Sequence, residues 1–160
     1  MTIKVGDKIP NMKCKVRQGG DPKDLTTDEL FKGKKVVLFA VPGAFTPTCS
    51  MKHLPGFIQK YDELKKKGVD TVACLSVNDH FVMGAWAKDQ GAGDKIAMIA
   101  DGNGDFTRAV GLTLDGSGFG LGERSQRYAM IVQDGTVKQL NVEKGGAFEV
   151  SSAEAMLGAL

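Results

Sequence analysis

The chain has 160 residues, of which 42% are hydrophobic and 25% are charged, so it can bury a core and does not have the composition of a disordered chain. Its 21 lysines and arginines nearly balance its 19 aspartates and glutamates, which argues against a nucleic-acid or membrane-surface binding patch. No apolar run approaches the roughly 20 residues that cross a bilayer, and the N-terminal sequence MTIKVGDKIP has no signal-peptide core. We therefore expect a single domain over residues 1–160 and a cytoplasmic location, with the mature form of an organellar protein as the alternative.

The reactive side chains are few. The chain contains three cysteines, Cys14, Cys49 and Cys74, and two histidines, His53 and His80. An odd and sparse set of cysteines argues against a disulfide framework, and the lack of a Cys-x-x-Cys motif argues against a dithiol or a zinc site. We expect no metal and no cofactor, and we expect any cysteine chemistry to use a single nucleophile.

The first half of the chain predicts a βαβ unit. After an alternating N-terminal strand that contains Cys14, Lys34–Val41 reads KKVVLFAV, a nearly continuous apolar run typical of a buried central strand. Val69–Val77 is a second run of this kind. Between them, apolar residues over Leu54–Leu64 recur at helical spacing, and Gly68 suits the end of that helix. Two strands joined in this way should lie parallel.

The second half predicts a helix, a hairpin and a final helix. A helix over Asp79–Asp89 should turn Phe81 and Trp86 inward. The other predicted elements are a strand over Ile96–Ala100, one or two helical turns over Gly104–Val110, a hairpin of Arg127–Gln133 and Thr136–Val142 around Asp134-Gly135, and a helix over Ser152–Leu160. A Ser151-x-x-Glu154 capping box should open that last helix. This order predicts an α/β fold of the thioredoxin-like plan, a central mixed β-sheet flanked by helices.

Cys49 lies at the junction of the first predicted strand and helix. The segment Val41–Phe57 reads VPGAFTPTCSMKHLPGF, and Pro47 suits the first position of a helix. Cys49 then falls in the first turn, where unpaired N–H groups and the positive end of the helix dipole increase the fraction of thiolate. Pro55 should kink the helix one turn later. The alternative is that Cys49 is a buried structural cysteine.

Thr46 lies three residues before Cys49 and has two possible roles. Its hydroxyl could donate to the thiolate, or accept from a substrate hydroxyl. Alternatively, Thr46 caps the helix, since threonine is a favoured N-cap residue. The two roles are compatible with each other.

The segments VPGAFTPTC and HLPGF resemble the active-site segment of the peroxiredoxins, in particular the peroxiredoxin 5 or type II subfamily. The family signature Pro-x-x-x-Thr-x-x-Cys is met by Pro42, Thr46 and Cys49. IKVGD, CLSVND and GERSQRYAMIVQDG are also similar to that subfamily, so the resemblance covers nearly the whole chain. It implies a thioredoxin-like fold and a thiol peroxidase that acts on hydrogen peroxide and organic hydroperoxides without a cofactor.

The resemblance also implies roles for single residues. Cys49 would be the peroxidatic cysteine, whose thiolate attacks a peroxide oxygen and becomes a sulfenic acid. Pro42 would shield that cysteine from solvent, and Thr46 would orient the peroxide. Arg127 would stabilise both the thiolate and the charge on the departing oxygen.

Two further residues, Arg124 and His53, each have two possible roles. Arg124 either supports the same site or is a solvated loop charge. His53, one helical turn after Cys49, either assists Cys49 electrostatically and through Arg127 or is a satisfied helix histidine. Trp86 is predicted to belong to the core, with contact to substrate as the less favoured alternative.

The sequence leaves open which group would reduce the sulfenic acid. Val150 stands where animal members of the subfamily have a resolving cysteine, whereas Cys74 stands where plant type II members have a second one. Cys74 is therefore a candidate resolving cysteine, but it also reads as a small core residue of a buried strand. We expect an external reductant, glutathione with or without glutaredoxin, or thioredoxin. The resemblance further implies a non-covalent homodimer.

Two other functions compete with the peroxidase. Cys49 could be the nucleophile of a cysteine hydrolase with His53 or His80 as base, although no Gly-x-Cys-x-Gly elbow is present. The chain could also be a non-enzymatic binding module with an exposed apolar patch. The glycine-rich stretch Gly116–Gly122 lacks the spacing of a nucleotide-binding loop and is interpreted as a surface loop.

Overall fold

The computed structural model describes residues 2–160, and its centre is a seven-stranded sheet. In chain order the strands are β1 (Lys13–Arg17), β2 (Lys23–Thr26), β3 (Lys35–Ala40), β4 (Thr71–Ser76), β5 (Ile96–Ala100), β6 (Thr113–Asp115), β7 (Glu123–Ser125), β8 (Tyr128–Gln133) and β9 (Thr136–Val142). The large sheet has the order β2-β1-β5-β4-β3-β8-β9, and β6 pairs with β7 in a separate small sheet. Parallel pairs β3–β4 and β4–β5 lie among antiparallel ones, so the sheet is mixed as predicted.

Short helices join the strands. They are α1 (Thr27–Phe31), α2 (Leu54–Gln59), α3 (Tyr61–Lys66), α4 (His80–Asp89), α5 (Asp105–Val110) and α6 (Ala153–Ala159), with a π-helical turn over Cys49–His53 and a 3₁₀ turn over Ser117–Phe119. Within residues 2–160, none of these helices is long and apolar enough to cross a membrane. The predicted βαβ unit is confirmed, since β3 and β4 are parallel neighbours joined through α2 and α3.

Both faces of the sheet are covered, which explains why the central strands are apolar without interruption. Val37 and Phe39 of β3 point to one face and pack in a cluster with residues of α2, α3, α4 and α6. Val36 and Leu38 point to the opposite face and pack with residues of α1 and α5. The sheet therefore forms the middle of three layers, and α2 and the π-helical turn lie on the same face as α6.

Some sequence predictions are wrong in detail. Phe81 is 71% exposed, because it is Met83 and Trp86 that α4 buries. The cap of α6 is Ser152, whose side chain accepts from the N–H of Ala155, so the predicted capping box at Ser151 does not form. Strands β2, β6 and β7 and helix α1 were not predicted, although Thr26 forms a capping box at the start of α1.

The predicted hairpin is confirmed, and it contains an irregularity that the sequence did not reveal. Asp134 and Gly135 adopt φ values of 48° and 78°, as the tight turn between β8 and β9 requires. Next to the turn Val132 faces Val137, but Ile131 faces Gln139, so Lys138 forms a bulge. The bulge shifts the pairing of every later residue of β9 by one position.

Candidate active site

The loop that follows β3 is held in a tight turn. The N–H of Thr46 donates to the carbonyl of Gly43 at 3.3 Å, and Phe45 between them has a φ of 65°. The N–H of Ala44 donates to the side chain of Asn78 at 3.0 Å, which ties this loop to the end of β4. The positive φ of Phe45 is a strained conformation for a residue with a side chain. The surrounding contacts thus hold a defined loop directly before Cys49.

Cys49 is the first residue of the π-helical turn and has no exposed surface. The N–H of Leu54 donates to the carbonyl of Cys49, one residue further along than an α-helix allows. The helical conformation begins at Pro47, as predicted. The turn before Pro55 is π-helical, and the helix is interrupted at Lys60 between α2 and α3.

Arg127 brings a positive charge to the sulfur. It lies directly before β8, whose Tyr128 pairs with Ala40 at the end of β3, so Arg127 faces the loop that leads to Cys49. Its Nη2 donates to Cys49 Sγ at 3.2 Å. Its Nη1 donates to His53 Nδ1 at 2.9 Å. The guanidinium therefore connects the cysteine and the histidine that the sequence analysis singled out.

His53 is fully buried, and its partners define its tautomer. A guanidinium has no acceptor, so Nδ1 must accept from Arg127, and Nε2 must carry the proton that it donates to the carbonyl of Ser151 at 2.8 Å. Burial, followed by the charge of Arg127, lowers the pKa of His53 to about 3. Both ring nitrogens are occupied, so His53 is not placed to take a proton from Cys49 as the hydrolase alternative requires.

Thr46 lies before Cys49 and its hydroxyl has a defined direction. Its Oγ1 donates to the carbonyl of Gly43 at 2.6 Å, because a carbonyl can only accept. Its main-chain carbonyl accepts from the N–H of Ser50 at 3.0 Å, so Thr46 begins the helix through its backbone. The lone pairs of Oγ1 are left to accept from a hydroxyl bound beside the sulfur.

Pro42 and Arg124 are joined at the rim of the site. Arg124 Nη1 donates to the carbonyl of Pro42 at 3.3 Å, and its Nε donates to the carbonyl of Leu121 at 2.9 Å. A Cβ on Gly43 would lie 2.8 Å from Nη1 of Arg124, so this approach requires glycine. Arg124 is half-buried and holds the loop rather than the sulfur, unlike Arg127.

Cys74 and Cys14 are buried thiols with a different environment. Cys74 has no exposed surface, lies in the middle of β4 and belongs to the same apolar cluster as Cys49. Burial, followed by the proximity of Cys49, raises the pKa of Cys74 well above its ordinary value. Cys14 in β1 is likewise buried, and burial together with the charge of Asp101 raises its pKa to about 11. All three cysteines are free thiols.

The residue after the cysteine is anchored to the core. Trp86 is fully buried, as predicted, and its Nε1 donates to Ser50 Oγ at 2.9 Å. This contact ties the π-helical turn to α4. In residues 2–160 no three His, Cys, Asp or Glu side chains cluster in a way that could hold a metal ion.

Two residues of the site were not singled out from the sequence. The main-chain carbonyl of Ser151 accepts a hydrogen bond from His53 Nε2. The carboxylate of Glu143 accepts hydrogen bonds from the N–H and the hydroxyl of Ser151. Glu143 lies opposite Arg127, since its N–H donates to the Arg127 carbonyl at 2.9 Å. Counting from the hairpin turn would have placed Val142 there, so only knowledge of the bulge could have identified Glu143.

Comparison with known proteins agrees with this geometry. The Redoxin family model matches residues 4–157. Peroxiredoxin-2E, chloroplastic, of Arabidopsis thaliana is 55% identical over 99% of this chain and 70% of the relative. The chain belongs to the Redoxin family, as a type II peroxiredoxin.

Solved structures extend the likeness to the fold. A reduced Prx3 of Vibrio vulnificus in complex with hydrogen peroxide has a TM-score of 0.93 and 54% identity, covering 99% of this chain and 96% of that one. Peroxiredoxin 5 of Alvinella pompejana has a TM-score of 0.86 and 39% identity, with coverages of 98% and 97%. The predicted thioredoxin-like fold is thereby confirmed. As a peroxiredoxin, the protein is a thiol peroxidase, an oxidoreductase that uses a peroxide and a thiol reductant.

Proposed function

We propose that this peroxiredoxin reduces hydrogen peroxide and organic hydroperoxides with Cys49 as the peroxidatic cysteine. The observation that carries the assignment is the 3.2 Å contact between Arg127 Nη2 and Cys49 Sγ. A charged donor at this distance forms a strong hydrogen bond to the attacking thiolate, because hydrogen bonds between ionised groups are stronger than those between neutral ones. Among the three cysteines of the described residues, Cys49 is the one with such a contact.

The reaction is a nucleophilic displacement at oxygen. The Cys49 thiolate attacks one peroxide oxygen, an S–O bond forms and the O–O bond breaks. Sulfur is oxidised by two electrons to the sulfenic acid, and the departing oxygen leaves as water or alcohol after it takes a proton. Negative charge moves from sulfur to the departing oxygen, and Arg127, whose Nη2 lies 3.2 Å from Cys49 Sγ, would stabilise that charge.

Thr46 and Pro42 have supporting roles in this proposal. The hydroxyl of Thr46 is committed as a donor to Gly43, so its oxygen accepts from the peroxide O–H and aligns the O–O bond with the sulfur. Pro42 and the loop that Arg124 holds exclude water from the thiolate, which strengthens its electrostatic contacts. His53 fixes the orientation of Arg127 and does not exchange protons with the substrate.

We further propose that an external thiol reduces the sulfenic acid. Glutathione, with or without glutaredoxin, or thioredoxin would serve. Cys74 is fully buried in β4, and its raised pKa disfavours the thiolate that would have to attack the sulfenic sulfur. A non-covalent homodimer completes the proposal, and the family resemblance is its support. We also propose the cytoplasmic location expected from the sequence, with the mature form of an organellar protein as the alternative.

Intact mass after one equivalent of hydrogen peroxide tests the proposal. The wild type, Cys49→Ser and Cys74→Ser should be compared in the absence of reductant. We expect the wild type and Cys74→Ser to gain one oxygen and Cys49→Ser to gain none. Titration of the oxidised protein with glutathione, and with thioredoxin and its reductase, then identifies the reductant that restores the starting mass.

Other outcomes have distinct meanings. A loss of two hydrogens in the wild type, with a peptide linking Cys49 to Cys74, would show that Cys74 resolves the sulfenic acid. Equal masses for the wild type and Cys49→Ser would refute Cys49 as the peroxidatic residue. A change in sedimentation at rising protein concentration would report the homodimer.

A further inference from the structure

A buried carboxylate lies at the far end of the hydrogen bonds that reach Cys49. Glu143 follows β9 directly and is 6% exposed. Its Oε2 accepts from the N–H groups of Glu149, Val150 and Ser151 at 2.8, 3.0 and 2.9 Å, and from the hydroxyl of Ser151 at 2.6 Å. Four donors on one oxygen fix three consecutive residues as a unit, because each peptide plane is oriented toward the same point.

The orientation of this unit is transmitted to His53. Glu143 holds Ser151 by its N–H and by its side-chain hydroxyl, and the carbonyl of the same residue lies 2.8 Å from His53 Nε2. The carbonyl requires a proton on Nε2, so it leaves Nδ1 unprotonated. A turned Ser151 carbonyl would remove one of the two groups that select this tautomer, the other being Arg127.

The tautomer of His53 in turn orients Arg127. An unprotonated Nδ1 accepts from Arg127 Nη1 at 2.9 Å, whereas a protonated one would repel it. Because the guanidinium is planar and rigid, fixing Nη1 on His53 directs Nη2 to Cys49 Sγ. Glu143 also holds the backbone of Arg127 through its own N–H.

We propose that Glu143 is a positioning residue for Cys49, acting through Ser151, His53 and Arg127. The inference deepens the proposed function, since it concerns the same thiolate. A competing explanation predicts the opposite change in the reactivity of Cys49. If Glu143 acted only through its charge, its negative carboxylate would disfavour the thiolate, and removing it would make Cys49 more reactive.

Three variants separate these explanations. Glu143→Ala removes the acceptor of all four donors. Glu143→Gln removes the charge and keeps an amide oxygen in the same place. Glu149→Ala is the matched control, because its exposed side chain carries the same charge while its N–H stays in place for Glu143. The readout is the rate of alkylation of Cys49 by iodoacetamide at fixed neutral pH, followed on the Cys49 peptide by mass spectrometry.

We expect Glu143→Ala to slow alkylation about tenfold, since loss of one oriented charge-assisted contact has an effect of this size. Glu143→Gln should stay within about threefold of the wild type, and Glu149→Ala should match it. Faster alkylation in both Glu143 variants would overturn the proposal in favour of the charge effect. An unchanged rate in a folded Glu143→Ala would overturn it in favour of a purely structural role.

The tautomer of His53 gives a test that needs no folded variant at position 143. The chain has only two histidines, so ¹⁵N NMR of the wild type with His80→Gln for assignment reports His53 separately. A proton on Nε2 and none on Nδ1 at neutral pH supports the proposal, and a proton on Nδ1 overturns it. Neither readout uses peroxide, so failure of the peroxidase itself would be visible separately in the mass experiment.

Discussion

Cys49 and Cys74 occupy two regions of one apolar cluster, and both are fully buried. Cys49 starts a π-helical turn at the edge of the sheet and faces Arg127. Cys74 lies inside β4, where its main-chain neighbours are β3 and β5. Burial therefore does not distinguish the proposed peroxidatic cysteine from Cys74. The difference is a single charged donor, Arg127 directly before β8, which contacts the sulfur of Cys49.

The comparison also shows how the charge is accommodated. A guanidinium at the edge of a buried cluster needs partners, because a buried unpaired charge is costly. Here Arg127 has the sulfur, the neutral imidazole of His53 and the nearby ring of Phe148, whose centroid is 5.9 Å from the guanidinium carbon. No comparable series of hydrogen bonds leads to Cys74 among the described residues, and its thiol behaves as a small apolar side chain.

The largest effect is expected at Arg127. Arg127→Gln removes the charged donor from Cys49 and should lower the second-order rate with hydrogen peroxide by about 10²–10³-fold, the usual size for loss of one such contact. Stopped-flow measurement of peroxide consumption checks this. The matched control is Arg124→Gln, which loses the loop contacts to the carbonyls of Pro42 and Leu121 but none to Cys49, and should cost less than about tenfold. Equal losses in the two variants would contradict the distinction between them.

His53 should make stability depend on pH. Its pKa falls from 6.5 to about 3 on folding, so between these values the unfolded state binds more protons and the free energy of unfolding rises with pH. The contribution is complete above pH 6.5 and is lost as the pH falls toward 3. From pH 7 to pH 4 we expect a loss of about 3 kcal/mol from this residue.

Chemical denaturation of the wild type and His53→Asn at both pH values measures that loss. Carboxylates with lowered pKa values that lie apart from His53, such as Asp7, contribute equally to both proteins, so they cancel in the difference between the two. If the free energies of unfolding of the two proteins changed equally with pH, folding would not lower the pKa of His53.

Thr46 should have a smaller effect on rate. Thr46→Val removes the oxygen that accepts from the peroxide and should slow peroxide reduction about 10- to 100-fold, typical for loss of one aligning contact. Thr46→Ser keeps the hydroxyl and its bond to Gly43, so it should retain most of the activity. Loss of activity in Thr46→Ser together with retention in Thr46→Val would indicate that the methyl group, and not the hydroxyl, is required.

The smallest effect is expected at Cys74. Cys74→Ala leaves a small cavity in the core and should lower the free energy of unfolding by about 1 kcal/mol, while peroxide consumption in the first turnover stays unchanged. Thermal unfolding and stopped-flow kinetics measure the two quantities. A variant that oxidises normally but no longer recovers with thioredoxin would assign Cys74 a part in resolution and would weaken the contrast with Cys49.

The sequence alone determined most of the fold, because its signals are local. Strand β3 was predicted from an apolar run, the hairpin from Asp134-Gly135, and α4 from a helical pattern over Asp79–Asp89. Errors arose where a tertiary contact overrode the local signal. The helical spacing assigned Phe81 to the inner face. Ser151 was assigned as the cap of the last helix, whereas its N–H and its hydroxyl donate to Glu143.

The position of Cys49 at a helix start, with Thr46 before it, was also determined by sequence alone. Only the tertiary structure decided what surrounds the sulfur. The bulge at Lys138 shifts β9 by one residue and so places Glu143, rather than Val142, opposite Arg127. The contact between Arg127 and Cys49 joins residues 78 positions apart in the chain. Such contacts depend on register and sheet order, which are set by the packing of the whole chain and leave no local pattern to read.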